Sequence, residues 1–176
     1  MKKLRIGIIG CGGIANGKHM PNLYKLSDKL EMVAFCDIVV ERAEAAAKKF
    51  GTEDAKVYED YKELLKDETI DVVHVCTPNR SHSFITIDAL EAGKHVMCEK
   101  PMAKTAADAL RMCEAAEATG KKLRKDNHIY YNSDYPFAHA NIDRDVVGEC
   151  PYCHKQASGN QCEEGCGRGD QHDNSC

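Results

Sequence analysis

The stretch LRIGIIGCGGIA, residues 4–15, decides the fold. A short apolar run is interrupted by Gly10-Cys11-Gly12-Gly13, and the IANGKHMPNLYKL that follows has helical spacing. Runs of the same kind recur down the chain: EMVAFCD (31–37), a weaker KVY (56–58), DVVHVCTPN (71–79) and HVMC (95–98). Between them lie helical patterns. ERAEAAAKKFG (41–51) is Ala-rich and closed by glycine, and a short YKELLKD follows the weak strand. SHSFITIDALEAG (81–93) starts on serine and stops on glycine, and KTAADALRMCEAAEATG (104–120) has Thr105 as its expected N-cap. Apolar strands with little polar alternation, each followed by a helix, predict an α/β fold: a Rossmann-type doubly wound parallel sheet over residues 1–123.

Composition narrows the function classes. The 176 residues are 43% hydrophobic with a formal net charge of −4. That balance lacks the basic excess of a nucleic-acid binder. No apolar run approaches the roughly 18 residues of a membrane span. Met-Lys-Lys leads straight into the first strand without a signal-peptide apolar region, so a cytoplasmic location is expected.

After Gly120 the pattern weakens. KKLRKDNH (121–128) holds one apolar residue in eight, and a central strand built from it would bury unpaired charges at several kcal/mol each. No sixth strand is expected there. The edge of the fifth strand would then be open, which predicts self-association into a homo-oligomer. Residues 124–148 read as an irregular linker and 149–176 as a Cys-rich tail.

Gly10, Gly12 and Ala15 make a G-x-G-x-x-A motif between a strand and a helix. Its glycines permit a tight turn and close approach to a pyrophosphate, which the helix N-terminus stabilises. Asp37 ends the second strand, where a carboxylate can accept both ribose hydroxyls of an adenosine and repel a 2′-phosphate. NAD is therefore favoured over NADP. The alternative for Asp37 is a turn or helix-capping role.

GCGGIA, CTPNRSH and above all AGKHVMCEKPMA, taken in order, resemble the N-terminal part of the Gfo/Idh/MocA oxidoreductases over residues 1–123. The resemblance implies cofactor binding by Gly10, Gly12, Gly13 and Ile14, with Asp37 on the ribose and Arg42 against the adenine. It implies Thr77, Pro78, Asn79 and His82 along the nicotinamide side, and Glu99 and Lys100 at the nicotinamide ribose and substrate. It also makes Lys100 the catalytic residue, hydrogen-bonding a sugar or cyclitol hydroxyl as hydride leaves the adjacent carbon. Pro101 restricts Lys100 to an extended backbone at the C-terminal edge of the sheet. Without the motif, Glu99 and Lys100 would read as a surface ion pair worth under about 1 kcal/mol. His74 reads as a hydrogen-bonded core residue and Cys98 as inert packing; His19 and His95 receive no role.

The resemblance implies a second α+β domain that covers the nicotinamide and sets specificity, and 176 residues are not expected to hold one. Two other readings therefore stand beside the enzyme. One is a non-catalytic dinucleotide-binding module with a zinc-stabilised interaction tail. The other is a composite chain without turnover.

Cysteine usage sets the tail apart. Of ten cysteines, five fall at Cys150, Cys153, Cys162, Cys166 and Cys176. Cys150-x2-Cys153 and Cys162-x3-Cys166 are two close pairs that can meet on one tetrahedral Zn²⁺, the alternatives being an unliganded, disordered tail or disulfides. His172 or Cys176 are alternative fourth ligands. CPYC followed by GNQCEEGC weakly resembles the zinc knuckle of methionyl-tRNA synthetases. None of the nucleotide-binding signatures of a synthetase accompanies it, so no aminoacylation is implied.

Overall fold

The structure, a computed structural model, describes residues 2–125. The linker, apart from its first two residues, and the tail, including Cys150, Cys153, Cys162 and Cys166, lie outside the described residues. Six strands form one sheet in the order β3-β2-β1-β4-β5-β6. They are β1 (Leu4–Ile9), β2 (Leu30–Cys36), β3 (Lys56–Tyr58), β4 (Val72–Val75), β5 (His95–Cys98) and β6 (Leu123–Lys125). Every pairing is parallel, as expected for strands joined through helices. The chain winds outward from β1 through β2 to β3, then crosses back to place β4 on the other side of β1. That reversal creates a crevice at the carboxyl ends of β1 and β4, where doubly wound folds hold ligands.

Both faces of the sheet are covered. One carries α1 (Met20–Tyr24) and α2 (Val40–Phe50), with Ile6, Ile8, Met20, Phe35, Ala43 and Ala46 packed between helix and sheet. The other carries α3 (Tyr61–Leu65), α4 (His82–Glu91) and α5 (Ala106–Thr119), over Ile9, Val73, Val75, Leu90, Val96 and Met112. Thr105 caps α5 as expected, its Oγ1 accepting the Asp108 N–H at 3.1 Å. Gly93 and Gly120 take positive φ at the ends of α4 and α5. No helix among the described residues is long and apolar enough to cross a membrane.

Two features depart from the sequence reading. A sixth strand exists: Leu123, Arg124 and Lys125 pair in parallel with Val96, Met97 and Cys98. Charge burial does not forbid it because β6 sits at the end of the sheet. Leu123 turns inward to the core, and Arg124 stays exposed. The Lys122 N–H donates to His95 Nδ1 at 2.9 Å, which gives His95 a role in seating this strand. The edge of β5, expected to be open, is thus occupied by β6.

The second departure is the first helix. Ala15–His19 form a π-helical turn that runs into α1, with the Met20 N–H bonded to Ala15 O. Pro21, at the start of α1, has no N–H to offer Gly17, and its ring would crowd that carbonyl. Widening the preceding turn accommodates it.

Candidate functional site

The parallel sheet brings Gly10–Ile14, Asp37, Thr77–Asn79 and Glu99–Lys100 to one rim, since each segment follows the carboxyl end of a strand. Gly10 is at φ +93°, and a Cβ there would lie 2.8 Å from the backbone of Cys76 and Thr77. The loop therefore packs directly on the end of β4 and admits no side chain. Gly12 and Gly13 differ: a Cβ on either would meet nothing within 4 Å among the described residues. Their backbone borders open space at the start of the π turn, where N–H groups and the helix N-terminus can meet an anion.

Asp37 is 8% exposed, and both its oxygens are engaged. Oδ2 accepts the Cys11 N–H at 2.8 Å and Oδ1 the Val39 N–H at 2.9 Å. The turn role and the ligand role proposed for this residue are therefore not exclusive. Its carboxylate ties the glycine loop to the β2–α2 turn, and a carboxylate with two acceptor sites used retains others for a ribose. Arg42 Nη1 stands 4.0 Å from Asp37 Oδ1 on the exposed side. Ile38 beside it is 83% exposed. The Cys11 thiol, buried under this loop, is pushed up to about 12, by burial first and by the Asp37 charge second.

On the far side, Thr77, Pro78 and Asn79 leave β4 and enter a 3-10 turn at Asn79–Ser81. Ser81 Oγ donates to Pro78 O at 2.8 Å and lies 2.9 Å from Thr77 Oγ1. Asn79 and Pro78 face outward, as a cofactor contact requires. His82 does not. It is 1% exposed, and its Nδ1 and Nε2 each lie 2.7 Å from a backbone carbonyl, Pro101 O and Thr77 O respectively. The ring joins the two loops rather than lining the crevice.

Glu99 likewise turns inward. It is 5% exposed, with Oε1 2.9 Å from His19 Nε2, while Oε2 accepts the Lys100 N–H at 2.6 Å. Lys100 itself is exposed at the rim, and its peptide bond to Pro101 is cis. His19, which sequence reading left without a role, thus belongs to the site. The signal is a buried carboxylate eighty positions away, invisible to local periodicity.

His74 stands edge-on to His19 with ring centroids 5.7 Å apart. It is buried in β4 as expected, but its Nδ1 has no hydrogen-bond partner among the described residues. Burial holds its pKa down to about 3, with His19 contributing further. The Cys98 thiol is raised to about 11, chiefly by burial, so almost no nucleophilic thiolate exists at neutral pH.

Known proteins share this fold. Residues 4–126 match the profile of the oxidoreductase family with an NAD-binding Rossmann fold, GFO_IDH_MocA. The chain belongs to the Gfo/Idh/MocA oxidoreductase family. It is 42% identical to the D-glucoside 3-dehydrogenase of Escherichia coli K12, over 83% of this chain and 41% of that protein. Identity is also 42% to the inositol 2-dehydrogenase of Salmonella typhimurium, over 83% of this chain and 43% of that one. Among solved structures, it is similar to a 3-ketoreductase of Actinomadura kijaniata in complex with NADP and TDP-benzene. There the TM-score is 0.66 at 32% identity, covering 71% of this chain and 37% of the other. The chain spans about two fifths of the length of the curated relatives it matches. As a family member it carries the NAD(P)-binding fold, and its relatives act on sugars and cyclitols.

Proposed function

We propose that this chain carries the cofactor-binding domain of an NAD(P)-dependent oxidoreductase that moves a hydride between a sugar or cyclitol carbinol and nicotinamide. The observation behind the reading is the open space over Gly12 and Gly13, flanked by the Asp37 carboxylate and by Lys100 on the same rim. In the reading, the Gly10–Ile14 turn cradles the pyrophosphate, Asp37 takes the adenosine ribose with Arg42 beside it, and Thr77, Pro78 and Asn79 border the nicotinamide. His82 and Glu99 support these contacts from within. The dinucleotide supplies the hydride acceptor. Lys100 Nζ hydrogen-bonds the substrate hydroxyl, stabilises the negative charge that grows on its oxygen, and helps to move its proton.

NAD is favoured over NADP because the Asp37 carboxylate would meet a 2′-phosphate with like charge. The five cysteines among the described residues are all free, which suits a reducing compartment, and we place the protein in the cytoplasm. For the tail, the two close cysteine pairs support one Zn²⁺ held by Cys150, Cys153, Cys162 and Cys166.

The deciding experiment is an NADH titration followed by nicotinamide fluorescence and by melting temperature. Saturation at about a hundred times Kd should add about 2.7 kcal/mol to the stability of the folded state. A melting temperature and spectrum unmoved by NADH would remove the reading. Reduction of NAD with a polyol panel, lost in Lys100→Met, tests the chemical step separately.

A further inference from the structure

Two buried histidines converge on the immediate neighbours of Lys100. On one side Glu99 receives His19 Nε2 at Oε1 and the Lys100 N–H at Oε2, at 2.9 and 2.6 Å. On the other side the carbonyl of Pro101 lies 2.7 Å from His82 Nδ1. Both rings are almost fully enclosed. A carboxylate shared between two donors in a dry setting is restricted to one rotamer, and hydrogen bonds to an ionised group are shorter and stronger than neutral ones. The backbone nitrogen of Lys100 is therefore located by the position of His19. His19 in turn closes the π turn that begins directly behind Gly12 and Gly13.

We infer that His19 is a positioning residue for Lys100, acting through Glu99, with the π turn behind the pyrophosphate loop as its anchor. His82 holds the opposite side of the same segment. This rests on the reading of Lys100 as the group beside the nicotinamide ribose. Sequence reading assigns His19 nothing, and Glu99 works here as the link and not as a ribose ligand.

The test is a double-mutant cycle on NADH affinity in the full chain, using wild type, Lys100→Met, His19→Leu and the double variant. Lys100→Met should weaken NADH about tenfold in the wild-type background and less than about threefold beside His19→Leu. His19→Gln, which keeps an N–H donor for Glu99, should restore the larger effect. AMP, which occupies only the adenine end, should bind wild type and His19→Leu alike. Equal Lys100→Met effects in both backgrounds overturn the role of His19 while leaving the lysine contact in place. Parallel losses of AMP and NADH affinity in His19→Leu overturn it as well, because they report a damaged loop. A Lys100→Met variant with unchanged NADH affinity removes the reading of Lys100, and this inference with it. Should His19→Leu fail to fold, His19→Phe supplies the same cycle, since it fills similar space and offers Glu99 no donor.

Discussion

Asp37→Ala should destabilise the protein before any cofactor is present. Two backbone N–H groups lose their acceptor, and they are not equivalent. The Cys11 N–H bond is buried, whereas the Val39 N–H bond is only part-buried and can turn to water. Leaving one buried donor unsatisfied costs about 1–3 kcal/mol. For a domain of this size that corresponds to a fall of about 4–12 °C in melting temperature, measured by calorimetry without nucleotide. NADH affinity should fall too, but that loss alone would not separate a ribose contact from a loosened loop. The separating measurement is Asp37→Asn, which keeps one acceptor oxygen and removes the charge. It should recover part of the apo stability and relax discrimination against NADPH. An apo melting temperature for Asp37→Ala within about a degree of wild type would refute the reasoning, because the two hydrogen bonds would then contribute nothing measurable.

Gly10→Ala forces a side chain to 2.8 Å from the Cys76 and Thr77 backbone at a φ of +93°. It should cost about 1–3 kcal/mol and weaken NADH, read by chemical denaturation and fluorescence, whereas Gly13→Ala, with open space around it, should cost under about 1 kcal/mol. His74 gives an acid-sensitive term. Its folded pKa is depressed to about 3 from 6.5, so the unfolded chain binds the extra proton between those values. Stability should therefore fall as pH drops from about 6.5 toward 3, by up to about 1.4 kcal/mol per pH unit, and His74→Leu should flatten that slope in denaturant melts. The full chain, dialysed without chelator, should retain about one equivalent of zinc, and less than half an equivalent by elemental analysis would remove the tail assignment.

The central strands were readable because parallel strands buried on both faces must be apolar runs. LRIGII and HVMC match their strands residue for residue. The Thr105 cap was legible for the same kind of reason, being a local interaction spanning three positions. β6 escaped because a charge-rich segment fails only where both faces are covered, and composition does not say which strand ends the sheet. The π turn escaped because five residues are too few to distinguish a widened helix from an ordinary one. Within the site, Gly10 and Asp37 announced themselves through spacing. The hydrogen bond that Asp37 accepts from Cys11 N–H, across 26 positions, is one that only three-dimensional proximity reveals. The inward turn of Glu99 and His82 was unreadable for a related reason: a motif fixes which residues are present, not which way they point.

The widened turn at Ala15–His19 also bears on how the gene can drift. Losing one codon between those positions would let the backbone settle into regular winding, with the sheet and its neighbours intact. The wide turn holds one residue more than an α turn, so the residues on either side of the deletion would keep their facing. The same loss inside the regular α2 would instead rotate everything upstream by about 100°, one residue's share of a 3.6-residue turn. Here, unlike in the other helices, a frame-preserving length change is one the crevice can absorb.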